Sequence, residues 1–287
     1  MSESLPARSS KRILERVFNP EVSLHDRAYQ VANEILTPIL CRPLSICHVV
    51  EFPKCGGSWI RNIIRGYLGS ENYLGDRLIF KDAVIHTHRL YRSSYAWPVV
   101  VVRDPRDLYV SMYHHESFFE GRARKNPLSG AFEHDPNRSP QDDFATYLEV
   151  KLTRVTHPVF FFSQFVDSWA SRPNACLVRY EDFLEDAERE LIRVLRFLDR
   201  ELIVDRVTDV VSKNSFEYQT KVRYGAERGS GEEDKSKFLR KGVSGDWKNF
   251  FNQKSCELID KFEGPSLRRL GYEEDRSWID RFLSDDT

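Results

Sequence analysis

No run of about 18 consecutive apolar residues occurs in the sequence, which argues against a membrane-spanning helix. Net charge is nearly absent as well: 43 Lys and Arg face 44 Asp and Glu, so no global basic field points to nucleic acid and any anion site must be local. Cysteine is sparse. The five, Cys41, Cys47, Cys55, Cys176 and Cys256, form no CxxC pair and are odd in number, which fits reduced thiols and a cytoplasmic location better than a disulfide framework. The first twenty residues hold no hydrophobic stretch of signal-peptide length, so secretion is not expected. What is present, 40% hydrophobic and 30% charged residues over 287 positions, suffices for a sizeable core beneath an ordinary surface.

Apolar runs at Ile46–Phe52, Ala83–Ile85, Val99–Val102 and Ala175–Tyr180 read as buried strands. Between them, Trp59, Ile60, Ile63, Ile64, Tyr67 and Leu68 share one helical face, with Gly69 as the stop. Leu191, Val194, Leu195 and Leu198 repeat that spacing in a later helix, expected to follow the fourth strand directly, and Glu185, Asp186, Glu188 and Glu190 suit its positive dipole end. Alternating strands and helices imply parallel pairing through right-handed crossovers. The expected fold class is therefore α/β, a three-layer sandwich with a central parallel sheet and its sites just past the carboxyl ends of the strands. A loosely held arm is expected over residues 1–25, ahead of one domain at 26–287. Two polar stretches, Glu116–Asp143 and Glu217–Lys237, are long for connections and read as lids or partly disordered segments.

The segment FPKCGGSWI places Gly56 and Gly57 between a strand and a helix, where backbone N–H groups can converge on an anion. Lys54 precedes the glycines and Ser58 follows them, the reverse of the GxxxxGK[ST] order of nucleotide triphosphatases. In VVVVRDPRDLYVSMYHH, Arg103 ends the most apolar strand and Ser111 lies about two helical turns on, so both could meet one phosphate; pairing of Arg103 with Asp104 or Asp107 is the competing reading. Near the C-terminus, RKGVSGDWKNFF sets Arg240 and Lys241 before Gly242 and Gly245, a second candidate phosphate loop or else a solvated basic turn. His86 and His88 in AVIHTHRL would point to one side of a strand; that suits a metal, but no third ligand is spaced to complete a site.

Taken together, these segments resemble the cytosolic sulfotransferases that use 3′-phosphoadenosine-5′-phosphosulfate (PAPS). The loop resembles PKSGTTW, the Arg103–Ser111 segment RNPKDVAVSYYH, and the C-terminal segment RKGxxGDWKN; RYEDFLEDAERELIRVLRFL is similar to YEDLxxDPxxEIxKIxxFL. The likeness runs from about Val49 to about Phe251. It implies the P-loop-like sulfotransferase fold and transfer of a sulfuryl group from PAPS to a hydroxyl or amine of a small-molecule acceptor, with no metal required. Lys54, Cys55, Gly56, Gly57 and Ser58 would hold the 5′-phosphosulfate and Trp59 would stack on adenine. Arg103, Ser111, Arg240, Lys241 and Gly242 would hold the 3′-phosphate, with Tyr180 and Phe216 near the adenine. His88 aligns with the histidine base of KTHLP, and Lys54 joins it as a catalytic group.

Several positions depart from that pattern. Cys55 stands for a usual Ser, Gly57 and Ser58 for two Thr, His86 for a Lys, and Asn214 near a donor Thr. Cys55 is either a thiol activated by its neighbours or a packed, inert one. The dimerisation pattern KxxxTVxE is only begun by Lys248, which leaves the oligomeric state open. No nucleic-acid or membrane partner is expected. The acceptor pocket is expected to draw on the stretch Glu116–Asp143 and on Tyr113, Phe118 and Phe119, aromatics that could equally be core or lid packing, and RARK at 122–125 could attract an acidic acceptor or be a solvated loop. The competing functions are a nucleotide-binding protein of this fold without catalysis and a nucleotide or nucleoside kinase; the loop order speaks against the kinase.

Overall fold

Four short strands form one parallel sheet in the computed structural model, which describes residues 41–69, 83–117, 132–154, 158–235 and 237–285. The expected arm, the 25/26 boundary, Phe118, Phe119 and the 122–125 cluster lie outside the described residues. The strands are β1 (Cys47–Glu51), β2 (Val84–Thr87), β3 (Trp97–Val102) and β4 (Cys176–Arg179), in the order β2-β1-β3-β4. The central pair is buried along nearly its whole length, which explains the paired valines of β1 and the four-valine run of β3. Registry sets His86 beside Val49, Thr87 beside Val50 and Val101 beside Glu51, so residues 51, 88 and 103 emerge together at the carboxyl edge.

Helix α1 (Gly57–Leu68) follows β1 and packs on β1 and β2. Its buried face carries Ile60, Ile63, Ile64 and Tyr67, each aliphatic side chain contributing roughly 1.5–3 kcal/mol by leaving water. Gly56 caps the N-terminus at φ 94° and Gly69 the C-terminus at φ 69°, both left-handed conformations that favour glycine. Helix α2 (Pro105–Ser117) starts on a proline whose missing N–H costs nothing in the first turn. It is followed by α3 (Pro140–Thr153) and α4 (Phe162–Trp169).

After β4 the structure differs from the expectation of a single helix. A short α5 (Tyr180–Glu185) intervenes, and Asp186 then caps α6 (Ala187–Phe197) by accepting a hydrogen bond from the Arg189 N–H. The aspartate breaks the helix because its side chain replaces the backbone partner at the new start. Next come α7 (Val204–Lys213) and α8 (Phe216–Tyr224), a 3₁₀ turn at Asp246–Asn249, α9 (Gln253–Arg269) and α10 (Trp278–Asp285). Helix α8 occupies the first part of the polar stretch expected as a lid or disordered segment. One group of helices joins α1, α6 and α7; another joins α2, α3, α4 and α9, and the two flank the sheet. Among the described residues no helix is long and apolar enough to cross a membrane.

Candidate active site

A cavity of about 950 Å³ opens at the carboxyl edge of the sheet. Lys54, Gly56, Ser58, Trp59, His88, Arg103, Ser111, Tyr180, Phe216, Arg240, Lys241 and Gly242 all line it, so most residues singled out in the sequence converge on one place. Cys55 and Gly57 do not line it. The Cys55 side chain is fully buried, and burial, reinforced by nearby Glu51, pushes its thiol well above the ordinary range, which makes it a packed, inert group. The Gly57 N–H, expected to face a phosphate, instead donates to Glu51 Oε2 at 2.6 Å.

The loop between β1 and α1 is held open by steric necessity. A Cβ on Gly56 would sit 2.5 Å from the Tyr180 ring, and one on Gly57 would sit 2.6 Å from the Glu51 carboxyl carbon. Gly242 is constrained in the same way by Phe216, at 2.4 Å. Lys54 itself adopts a left-handed φ of 75°, a conformation uncommon for a side-chain-bearing residue and characteristic of functional loops. Its ammonium lies 4.4 Å over the Phe238 ring. Desolvation lowers its pKa to about 8; Glu51 opposes the shift and Arg103 and Arg240 add to it.

Arg103 braces the two loops. Its guanidinium donates to the carbonyls of Lys54 and Val243, both at 3.3 Å, and lies 4.4 Å over the Tyr180 ring. The expected competitors are engaged elsewhere: Asp104 pairs with Arg106 at 2.7 Å, and Asp107 accepts the N–H groups of Gly245 and Trp247 at 2.6 and 2.9 Å. Arg240 pairs with Glu233 and with Asp246 at 2.7 Å, and Lys241 with Asp246 at 2.6 Å. Burial would raise Asp246, but Lys241 and Arg240 dominate and hold it at about 2. Trp59 donates to the Asn214 carbonyl at 2.7 Å and meets Tyr180 edge-on; the Asn214 side-chain amide is spent on the Val210 carbonyl.

On the opposite side stands a group the sequence reading missed. Glu51, 3% exposed, accepts from or shares a proton with His86 Nε2 at 2.8 Å, while His88 Nδ1 lies 3.1 Å from the Glu51 carbonyl oxygen. Since a carbonyl can only accept, His88 Nδ1 carries the proton and Nε2 is the basic nitrogen. Burial would raise the Glu51 carboxyl, yet the His86 hydrogen bond and charge, His88 and the Gly57 N–H outweigh it and leave it below its ordinary value. The expectation that no third group accompanies the two histidines is therefore overturned: Glu51, His86 and His88 offer donor atoms within 4.8 Å of one another. The signal was in the sequence, an acid closing a buried strand two residues before Pro53. Beyond them, the cavity is lined by Met112, His115, Glu116 and Lys151, the last two paired at 2.8 Å.

A family model described as a sulfotransferase domain matches residues 90–271. The chain belongs to the sulfotransferase family. Sulfotransferase 2A2 of Mus musculus is 31% identical over 214 residues, covering 71% of this chain and 67% of that protein. Sulfotransferase 1E1 of Cavia porcellus is 29% identical over 236 residues, covering 77% and 71%. Among solved structures, mouse sulfotransferase SULT7A1 complexed with PAP has a TM-score of 0.55 at 21% identity, covering 80% of this chain and 89% of that one. Retinol dehydratase in a complex with retinol and PAP has a TM-score of 0.56 at 18% identity, covering 84% and 86%. The expected fold is thus the fold found, and this sulfotransferase is an enzyme of group transfer rather than a kinase.

Proposed function

We propose that this sulfotransferase moves the sulfuryl group of PAPS to a hydroxyl or amine of a small-molecule acceptor, with His88 as the base. The observation that carries the reading is the convergence of Lys54, Ser58, Arg103, Ser111, Arg240 and Lys241 on the cavity that also receives His88. A nucleotide with two separated phosphates needs two cationic grips, and the cavity offers Lys54 at one loop, Arg240 and Lys241 at the other and Arg103 between them. Trp59, Tyr180 and Phe216 supply apolar faces for a purine.

In the transfer, His88 Nε2 takes the proton of the acceptor as its oxygen or nitrogen bonds to sulfur. The bond from sulfur to the 5′-phosphate oxygen breaks in line, and the charge left on that oxygen is met by the Lys54 ammonium. The Glu51 carbonyl holds the productive tautomer of His88, much as an orienting acceptor does in other histidine-base sites. All five cysteines are buried and none is joined in a disulfide, in keeping with a reducing, cytoplasmic setting.

Lys54→Ala and His88→Ala are each expected to lower turnover by about a hundredfold or more with an established acceptor. Near-normal rates in either would overturn its role. Thermal stabilisation of the wild type by 3′-phosphoadenosine-5′-phosphate, but not by ATP with Mg²⁺, checks the donor site separately. Nucleotide binding without transfer across a broad acceptor panel would favour a binding protein over an enzyme.

A further inference from the structure

We infer that Glu51, His86 and His88 form a binding site for a zinc-class divalent ion, and that its occupation shuts off transfer. The sheet builds the arrangement. His86 and His88 are two residues apart at the end of β2 and so project to one side, and the β1–β2 register brings Glu51 alongside them. Their donor atoms lie within 4.8 Å of one another; around an ion with bonds of about 2.0–2.1 Å they would stand roughly 3.3 Å apart, so the more distant atoms close in while the 2.8 Å His86–Glu51 hydrogen bond opens and gives up its proton. Two imidazoles and a carboxylate are the donor set of open, three-ligand zinc sites, in which further positions face the cavity.

Both kinds of supporting contact that orient metal ligands are in place. His88 Nδ1 donates to the Glu51 carbonyl, which leaves Nε2 as the ligating atom, and the Gly57 N–H holds Glu51 Oε2, which leaves Oε1 for the ion. Where the family pattern has a lysine, whose charge would repel a cation, this chain has His86; the carboxylate beside it adds negative charge. Lys54 is the neighbouring cation that opposes the ion, and burial already weakens its hold on its proton. An ion here takes up the Nε2 lone pair that removes the acceptor proton. The inhibition therefore rests on His88 being the base, whereas the binding does not.

Titrating the metal-free protein with Co²⁺ and following its visible absorption reads the site without any turnover. One ion per chain is expected, displaced by Zn²⁺, with affinity at least about tenfold weaker in His86→Asn, His88→Asn and Glu51→Gln. Should buried Glu51→Gln fail to fold by circular dichroism, the two histidine variants decide alone. Absence of a Co²⁺ spectrum in the wild type, or affinity unchanged in folded variants, would overturn the site. In parallel, Zn²⁺ is expected to inhibit transfer reversibly, with activity restored by a chelator. Tight binding with undiminished turnover would keep the ion site, reject the shut-off and count against His88 as the base.

Discussion

At the residue scale, the pairing of Glu51 with Gly57 accounts for a departure that looks like a loss. A side chain at position 57 would run into the Glu51 carboxyl, so the hydroxyl common there in the family cannot coexist with this glutamate. The carboxylate takes the Gly57 amide, so in the proposed donor site Lys54 would have more of the phosphate charge to meet. Its lowered pKa has a kinetic signature. If Lys54 meets the leaving-group charge as proposed, its charged form is needed and is lost as pH rises through about 8, so kcat/KM is expected to fall about tenfold per pH unit beyond that point. Lys54→Arg keeps a cation that does not titrate in this range; loss of the alkaline limb in its pH profile, whatever its absolute rate, is the expected result. Persistence of the limb would assign it to another group. The sequence made Lys54, Arg103 and His88 legible because motifs specify them, whereas Glu51 was hidden in an apolar strand and Cys55 was placed at the site by alignment alone.

At the scale of elements, the site depends on how α2 meets the C-terminal loop. Asp107, in the first turn of α2, accepts two backbone N–H groups from Gly245 and Trp247 across 138 and 140 residues of chain, and Arg103 spans the same gap. Asp107→Ala leaves those amides without their acceptor, at a cost of about 1–3 kcal/mol. Urea unfolding is expected to show that loss, and the melting shift induced by 3′-phosphoadenosine-5′-phosphate is expected to shrink, because Arg240 and Lys241 lie on the loop that Asp107 anchors. An unchanged shift would show that the loop is held by other contacts. Strands β1 and β3 and helix α1 were readable from hydrophobic pattern because burial dictates their residues. β2 was read too short, as Ala83–Ile85, since His86 and Thr87 interrupt the apolar run where the strand delivers its polar groups. The break between α5 and α6 was missed because a single capping aspartate, not a change of periodicity, makes it.

For the whole molecule, buried titratable groups set the response to acid. Burial lowers His48 to about 4 and His114 to about 3, so both are neutral in the fold and take up protons on unfolding below about pH 6.5. Each makes stability rise with pH across that window. Glu263, raised to about 7 by burial despite bonds from Ser266 and Tyr109, acts in the opposite sense between about pH 4.5 and 7, where the fold holds its proton and the unfolded chain does not. Glu181 and Asp107, also raised by burial, act in the same sense as Glu263, so histidines and carboxyls oppose one another across this range. Glu263→Gln removes one of the opposing groups, so urea unfolding between pH 5 and 6.5 is expected to show stability rising with pH more steeply than in the wild type, by up to about 1.4 kcal/mol per pH unit; an unchanged slope would refute the assignment of Glu263. The cavity walls are drawn from chain positions as far apart as Glu51 and Val243. A nucleotide bound there as proposed would bridge the two ends of that span; at a hundred times its Kd it would add about 2.7 kcal/mol to the fold, and the empty enzyme would be the form most open to proteolysis.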